Sequence, residues 1–286
     1  MKLIPLTIMN NTEYSSSLTG LLAALLSFHL YAAESEALVD FPDNTDGEPI
    51  SFVSCPIVQD TYSVPCWLAN FEGQNYYLGI TQDIGSSFHP PQLKHKVLVE
   101  GRLLAGESLC GAQVIHPVKI SVLPELSPEC NTILPQITGI EPPPHVRGPG
   151  PSNRGLEPRE RAESPAAPQP PFQARTFTVP FTFDSPYMVT RQTGIISQAI
   201  RYAGQVDAER IEVTINRGAN LLSDGSHIVE SNMVIDERSR RFLTIFKEAG
   251  FRDEQISIRA DYTERRGSGV DDDQLRNVDI TVHPGN

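Results

Sequence analysis

Between residues 49 and 126 apolar side chains recur in short runs broken by Gly and Pro, and none of these runs carries a helical period. ISFVSCPIV is strand-like. SVPCWLANFEGQNYYLGI predicts two strands around a Glu72-Gly73 turn. HKVLVEGRLLAG alternates Val97, Val99 and Leu103, and VIHPVKISVLPEL alternates again, with Pro117 placing its start at an edge or a bulge. Short strands of this kind predict a small all-β barrel or sandwich.

The pattern changes after residue 175. TFTVPFTF sets Phe177, Val179, Phe181 and Phe183 on one face, which predicts a strand. Ile195, Ile196, Ala199, Ile200 and Ala203 then recur at helical spacing, with Gly204 as the expected stop. RIEVTI is a second strand. Val234, Arg238, Phe242, Ile245, Phe246 and Ala249 mark a second helix with Gly250 as its C-terminal cap. QISIRA and NVDITV complete a β-α-β-α-β-β order, an α/β sandwich spanning 175–286.

Between these halves, residues 136–174 are rich in Pro, with Gly, Ser and charges of both signs but few large apolar side chains. Such a segment buries too little surface to offset its ordering entropy, so it reads as an extended spacer, either a plain connector or a tether between modules. The N-terminus has a different character. Lys2 precedes a polar stretch, and the apolar run 18–33 is too short for a comfortable membrane span and ends in Ala32 and Ala33. This is the pattern of a secretory signal peptide, residues 1–33, which leaves a mature chain with no stable membrane span and a β-domain over 34–135.

Export changes the reading of the cysteines. Cys55, Cys66, Cys110 and Cys130 lie in the β-rich half, at spacings that supply no close metal-ligand pair. In an exported chain they predict two disulfides, with three connectivities open. The formal charge of −12 disfavours nucleic acid and anionic membrane surfaces, which both require a basic face. His89 and His95 do not stand at a recurrent metal spacing, so no cofactor or metal is expected. Trp67, Tyr76 and Tyr77 are a candidate stacking surface, but strands favour aromatics for packing alone. No nucleophile elbow or placeable carboxylate pair points to an enzyme.

Two resemblances bear on fold and function. Val-x-Val-x-Gly at 97–101 resembles an OB-fold strand. Phe181, Phe183, Asp184 and Ser185 close the first strand, Arg238, Ala249 and Gly250 lie in and after the second helix, and Arg276, Val278, Asp279 and Ile280 mark the last strand. By this ordered set, residues 176–283 resemble the OmpA-like C-terminal module of Gram-negative envelope proteins. The resemblance implies a periplasmic or outer-membrane-associated protein whose module holds peptidoglycan. It further implies that Arg238 and a loop Asp read the carboxylate and the ammonium of the stem-peptide diaminopimelate.

This sequence departs from that pattern in the loop INRGANLLSDG. Asn216, Arg217 and Gly218 stand where the family carries its Asp, and the loop 216–233 is longer. Asp224 is the candidate replacement, although Ser223-Asp224-Gly225 also reads as an ordinary turn. Arg238 equally suits an ion pair with a neighbour such as Asp236 or Glu237. The expected ligand-binding set is therefore Arg238, Asp224, Arg276 and Asn216. The expected role is a non-enzymatic envelope protein with weak or lost peptidoglycan binding. The alternative is a protein-protein interaction module that uses the loop 216–233 and binds no glycan.

Overall fold

The computed structural model describes residues 44–80, 90–140, 168–263 and 265–285. The expected signal peptide, most of the Pro-rich segment and His89 lie outside them. Among the described residues, no helix is long and apolar enough to cross a membrane.

The N-terminal half is a seven-stranded sheet. Its strands are β1 (Pro49–Ser54), β2 (Pro56–Gln59), β3 (Cys66–Phe71), β4 (Gln74–Ile80), β5 (His95–Leu109), β6 (Ala112–Leu126) and β7 (Thr132–Leu134), in the order β1-β5-β6-β4-β3-β2-β7. The edge strands β1 and β7 are not bonded to each other, so the sheet is open among the described residues. The Glu72-Gly73 turn joins β3 to β4 with both residues at positive φ, 51° and 81°, as a two-residue hairpin turn requires. Pro117 sits inside β6, opposite a register shift between Gly101 and Leu103 of β5. Of the two places expected for this proline, an edge or a bulge, it occupies the bulge. The disulfides are Cys55–Cys130 and Cys66–Cys110.

One face of the sheet buries Ile50, Phe52, Val97, Val99 and Ile120, with Phe52 stacked on Phe71 at 4.8 Å between ring centroids. Tyr76 and Tyr77 are both buried and belong to two different clusters, while Trp67 packs at the margin of the first. The His95 Nδ1 lies 2.9 Å from the Leu123 carbonyl oxygen.

The C-terminal half follows the expected order with one insertion. It contains β8 (Arg175–Pro180), α1 (Thr190–Gln205), β9 (Arg210–Asn216), a short hairpin of β10 (Ala219–Leu221) and β11 (His227–Val229), α2 (Asn232–Glu248), β12 (Ile256–Asp261) and β13 (Asn277–His283). The sheet runs β12-β9-β13-β8, with β12 parallel to β9 and β13 antiparallel to both of its neighbours. Both helices contribute to a core with Val213, Ile215, Phe242, Phe246 and Ile280 at its centre.

The helix ends illustrate where the sequence pattern holds. Gly250, at φ 94°, follows α2; its N–H donates to the Lys247 carbonyl, and the Phe251 N–H reaches back to Phe246. The Phe246 and Phe251 rings meet edge-on at 6.1 Å, which completes a Schellman cap. Helix α1 departs from expectation. It passes Gly204 and ends at Gln205, and the left-handed position falls on Asp207, at φ 47°. Asp tolerates this conformation better than most side chains, so a glycine was not needed there.

Both ends of the Pro-rich segment are packed. Ile140 lies against the β-rich half, while Phe172 joins the core of the α/β half.

Candidate functional site

The loop 216–233 is not an open loop. Its two arms pair as β10 and β11, Ala219 opposite Val229 and Leu221 opposite His227. The base of this hairpin holds the residue that the resemblance singled out, Arg238. This guanidinium is fully buried and enclosed by its own chain. Its Nη1 and Nη2 donate to Glu230 at 3.0 and 2.7 Å, a two-pronged pairing that suits a planar guanidinium. Nε and Nη2 also donate to the Ser185 carbonyl at 3.1 and 2.9 Å, and Nη2 to that of Thr182 at 3.2 Å. The Phe181 ring covers the cation at 4.4 Å.

Glu230 is as buried as its partner. It accepts two further hydrogen bonds from backbone N–H groups, Gly218 at 2.7 Å and Asp184 at 2.9 Å. Arg238, Gly218 and Asp184 therefore form a cradle shaped for one carboxylate, and Glu230 fills it. The partner is therefore Glu230, and neither of the neighbours Asp236 and Glu237 that the sequence suggests. Asp236 instead accepts the Tyr262 hydroxyl, and Glu237 pairs with Arg240 and Arg241. The overlooked signal is a lone acid after the apolar pair Ile228-Val229 and directly before Ser231, the N-terminal cap of α2.

Gly218 is required here by close approach rather than by a special φ. A Cβ at this position would stand 2.5 Å from the Arg276 Cβ and 3.0 Å from the Glu230 Oε2. Arg217 closes the hairpin base, with its Nε donating to the Glu230 carbonyl at 2.7 Å. Asp184, at φ 50°, accepts the amide and hydroxyl of Ser231 at 2.7 and 2.8 Å, and so fixes the start of α2 beside the cradle.

The other three expected residues do not join Arg238. Asn216 is buried below the hairpin, where it donates to Asn277 and Asp279 and accepts from Arg265. Asp224 is exposed at the hairpin tip. Its Oδ1 accepts the Ser226 hydroxyl at 2.6 Å and the Ser226 amide at 2.9 Å, and these bonds hold its carboxyl below the usual range. With Gly225 at φ 84°, this is the turn geometry of the Ser-Asp-Gly reading.

Arg276 is nearly fully buried and pairs with Glu100 of the β-rich half. Its Nη1 donates to Glu100 at 3.1 Å and to the Asn220 Oδ1 at 3.2 Å, and its Nε to the Phe181 carbonyl at 3.1 Å. The Asn220 amide donates in turn to Glu100 at 2.5 Å. The hairpin tip adds reciprocal bonds to β1. The Ser223 amide donates to the Ser51 carbonyl at 2.7 Å, and the Ser51 amide to the Ser223 hydroxyl at 3.0 Å. The buried Ser51 hydroxyl has no partner of its own among the described residues. Leu222, Phe183 and Ile228 pack with Leu98, Val53 and Leu123 in a small core shared by the two halves. Asp272 anchors the hairpin from the other side by accepting the Leu221 amide at 2.9 Å.

This contact uses a single face of the β-sheet. Ser51, Glu100 and Lys119 form one row across β1, β5 and β6, and Val53, Leu98 and Ser121 form the next. Lys119 reaches Asp273 at 2.5 Å, and Ser121 Oγ accepts the Phe183 amide at 2.9 Å.

No family model and no curated protein matches the chain. Among solved structures it has a weak likeness to the OmpA-like domain of FopA1 from Francisella tularensis subsp. tularensis SCHU S4. The identity is 11% and the TM-score 0.30, over 40% of this chain and 77% of that one.

Proposed function

We propose that this chain is a non-enzymatic, exported envelope protein whose α/β half has an OmpA-like arrangement but does not present its arginine to peptidoglycan. The observation that carries this reading is the Glu230–Arg238 pair, buried on both sides. A ligand carboxylate would have to displace a carboxylate that is covalently tethered, already desolvated and bonded to two backbone amides. The loop 216–233 then serves protein contact, and the contact it makes is with the β-rich half of its own chain. Two disulfides in that half fit an oxidising compartment. On this reading the protein is a two-part scaffold, and the OB-like strand at 97–101 belongs to the surface that receives the hairpin.

The test is retention on purified sacculi. Wild-type protein is expected to stay in the supernatant, and Glu230→Gln, which keeps the side-chain volume while removing the charge, is expected to bring some protein into the pellet. Tight wild-type binding that survives Glu230→Gln and is lost in Asp224→Ala would refute the reading and put the ligand at the hairpin tip.

A further inference from the structure

We infer that the β10–β11 hairpin is a latch through which the β-rich half keeps the Arg238 cradle closed. The inference rests on the scaffold reading above and gives it a regulated form. A continuous set of contacts supports it. At the base of the hairpin, Glu230 lies in the cradle and is tied to Gly218 in both directions, the Glu230 amide donating to the Gly218 carbonyl at 3.0 Å and the Gly218 amide to the Glu230 carboxylate at 2.7 Å. At its tip, Ser223 and Leu222 are held by β1 and by the small core around Leu98. Between them, Asn220 joins the Glu100–Arg276 pair. Each arm has three paired residues, so the hairpin is too short to be stable alone and depends on what it docks against.

Release of the tip from the β-rich half therefore loosens the base. Glu230 then leaves the cradle, and the Arg238 guanidinium with the Gly218 and Asp184 amides becomes a receptor for one external carboxylate. Whatever separates the halves, such as a partner that competes for the Ser51–Glu100–Lys119 face, would switch that receptor on. The cradle offers donors only, and the two oxygens of the Glu230 carboxylate satisfy them, so the ligand class is a carboxylate anion.

Hydrogen exchange on the full chain tests the latch. Leu222→Ala removes the apolar wedge, and Ser223→Ala is a milder second variant that removes a single side-chain bond. Exchange at the Gly218 and Asp184 amides, both bonded to Glu230, is expected to rise about tenfold or more with that at Ser223, while Val213 and Ile215 in the core strand stay protected. Faster exchange at the tip with unchanged Gly218 and Asp184 would overturn the latch. Sacculi are the second probe. Retention of the Leu222→Ala protein but not of wild type supports both the latch and its ligand class. Faster exchange at Gly218 and Asp184 in a Leu222→Ala protein that still stays in the supernatant overturns peptidoglycan as the ligand of the opened cradle, while the latch and the scaffold reading stand.

Discussion

Glu100 and Arg276 are 176 residues apart in sequence and meet as a buried ion pair between the two halves of the molecule. Asn220 and the Phe181 carbonyl supply the remaining bonds of the pair. Removal of either partner leaves the other charge buried and uncompensated. Glu100→Ala and Arg276→Ala are each expected to lower stability by about 3–5 kcal/mol, with the double variant well short of the sum. Urea unfolding of the four proteins in a double-mutant cycle measures the coupling. Additive losses would show that the pair does not act as a unit.

Asp184 has two roles that substitutions separate. Its side chain accepts from Ser231 at the start of α2, and its backbone adopts a left-handed conformation at φ 50°. Asn keeps an acceptor oxygen and tolerates that backbone region, whereas Ala supplies neither. Asp184→Asn is expected to cost about 1 kcal/mol and Asp184→Ala roughly 2–3 kcal/mol. Thermal unfolding ranks them, and equal losses would mean that the charge alone matters.

Local structure was legible where side-chain period and cap chemistry agree. The strand at 210–216 alternates Ile211, Val213 and Ile215 into the core, and Gly250 caps α2 as its position implies. What escaped was pairing across distance. The place of Glu230 just before the Ser231 cap marks an unusual acid but does not name the arginine it meets, and Glu100 carries no mark of Arg276. A second signal lies in β5: Val97-Leu98-Val99 is continuously apolar, which an alternating strand with a solvated face would not be. Val97 and Val99 face the half's own core, and Leu98 faces the α/β half with no exposure at all. The same applies to Phe181 and Phe183. They share one face of the sequence pattern, yet the first joins the α/β core and the second the core between the halves, because β8 ends at Pro180 and the chain turns.

Asp261 offers a test by pH. The Thr263 hydroxyl, the Thr263 amide and Arg265 hold its carboxyl down at about 2, against an ordinary 3.8. Because the folded value lies below the unfolded one, its contribution is fully present above pH about 3.8 and is lost as the pH falls through about 2. The group is near the surface, so screening keeps the contribution small. Carboxyl chemical shifts should give a midpoint near 2 for Asp261. An ordinary midpoint would mean that the bonds to Thr263 and to Arg265, whose guanidinium also donates to Asn216, are absent in solution.

The contact between the halves also predicts behaviour when the chain connection is removed. The shared surface combines a small apolar core, one buried ion pair, the reciprocal Ser51–Ser223 bonds and the Lys119–Asp273 bridge. Residues 34–140 and 168–286, produced as separate chains, are therefore expected to co-elute on size exclusion at micromolar concentration. Charge-assisted bonds in this surface are worth about 1.5–3 kcal/mol each. Loss of the buried pair should consequently weaken association by roughly ten- to a hundredfold or more, so that Glu100→Ala separates the fragments at the same concentration. Lys119→Ala, at a half-exposed bridge, should weaken association far less. The β-rich fragment keeps both of its disulfides within 55–130, so its fold does not depend on the other chain for covalent support. Wild-type fragments that elute apart would mean that the contact forms only when the two halves are tethered. Co-elution insensitive to Glu100→Ala would place the binding energy in the Leu98–Leu222–Phe183 cluster instead.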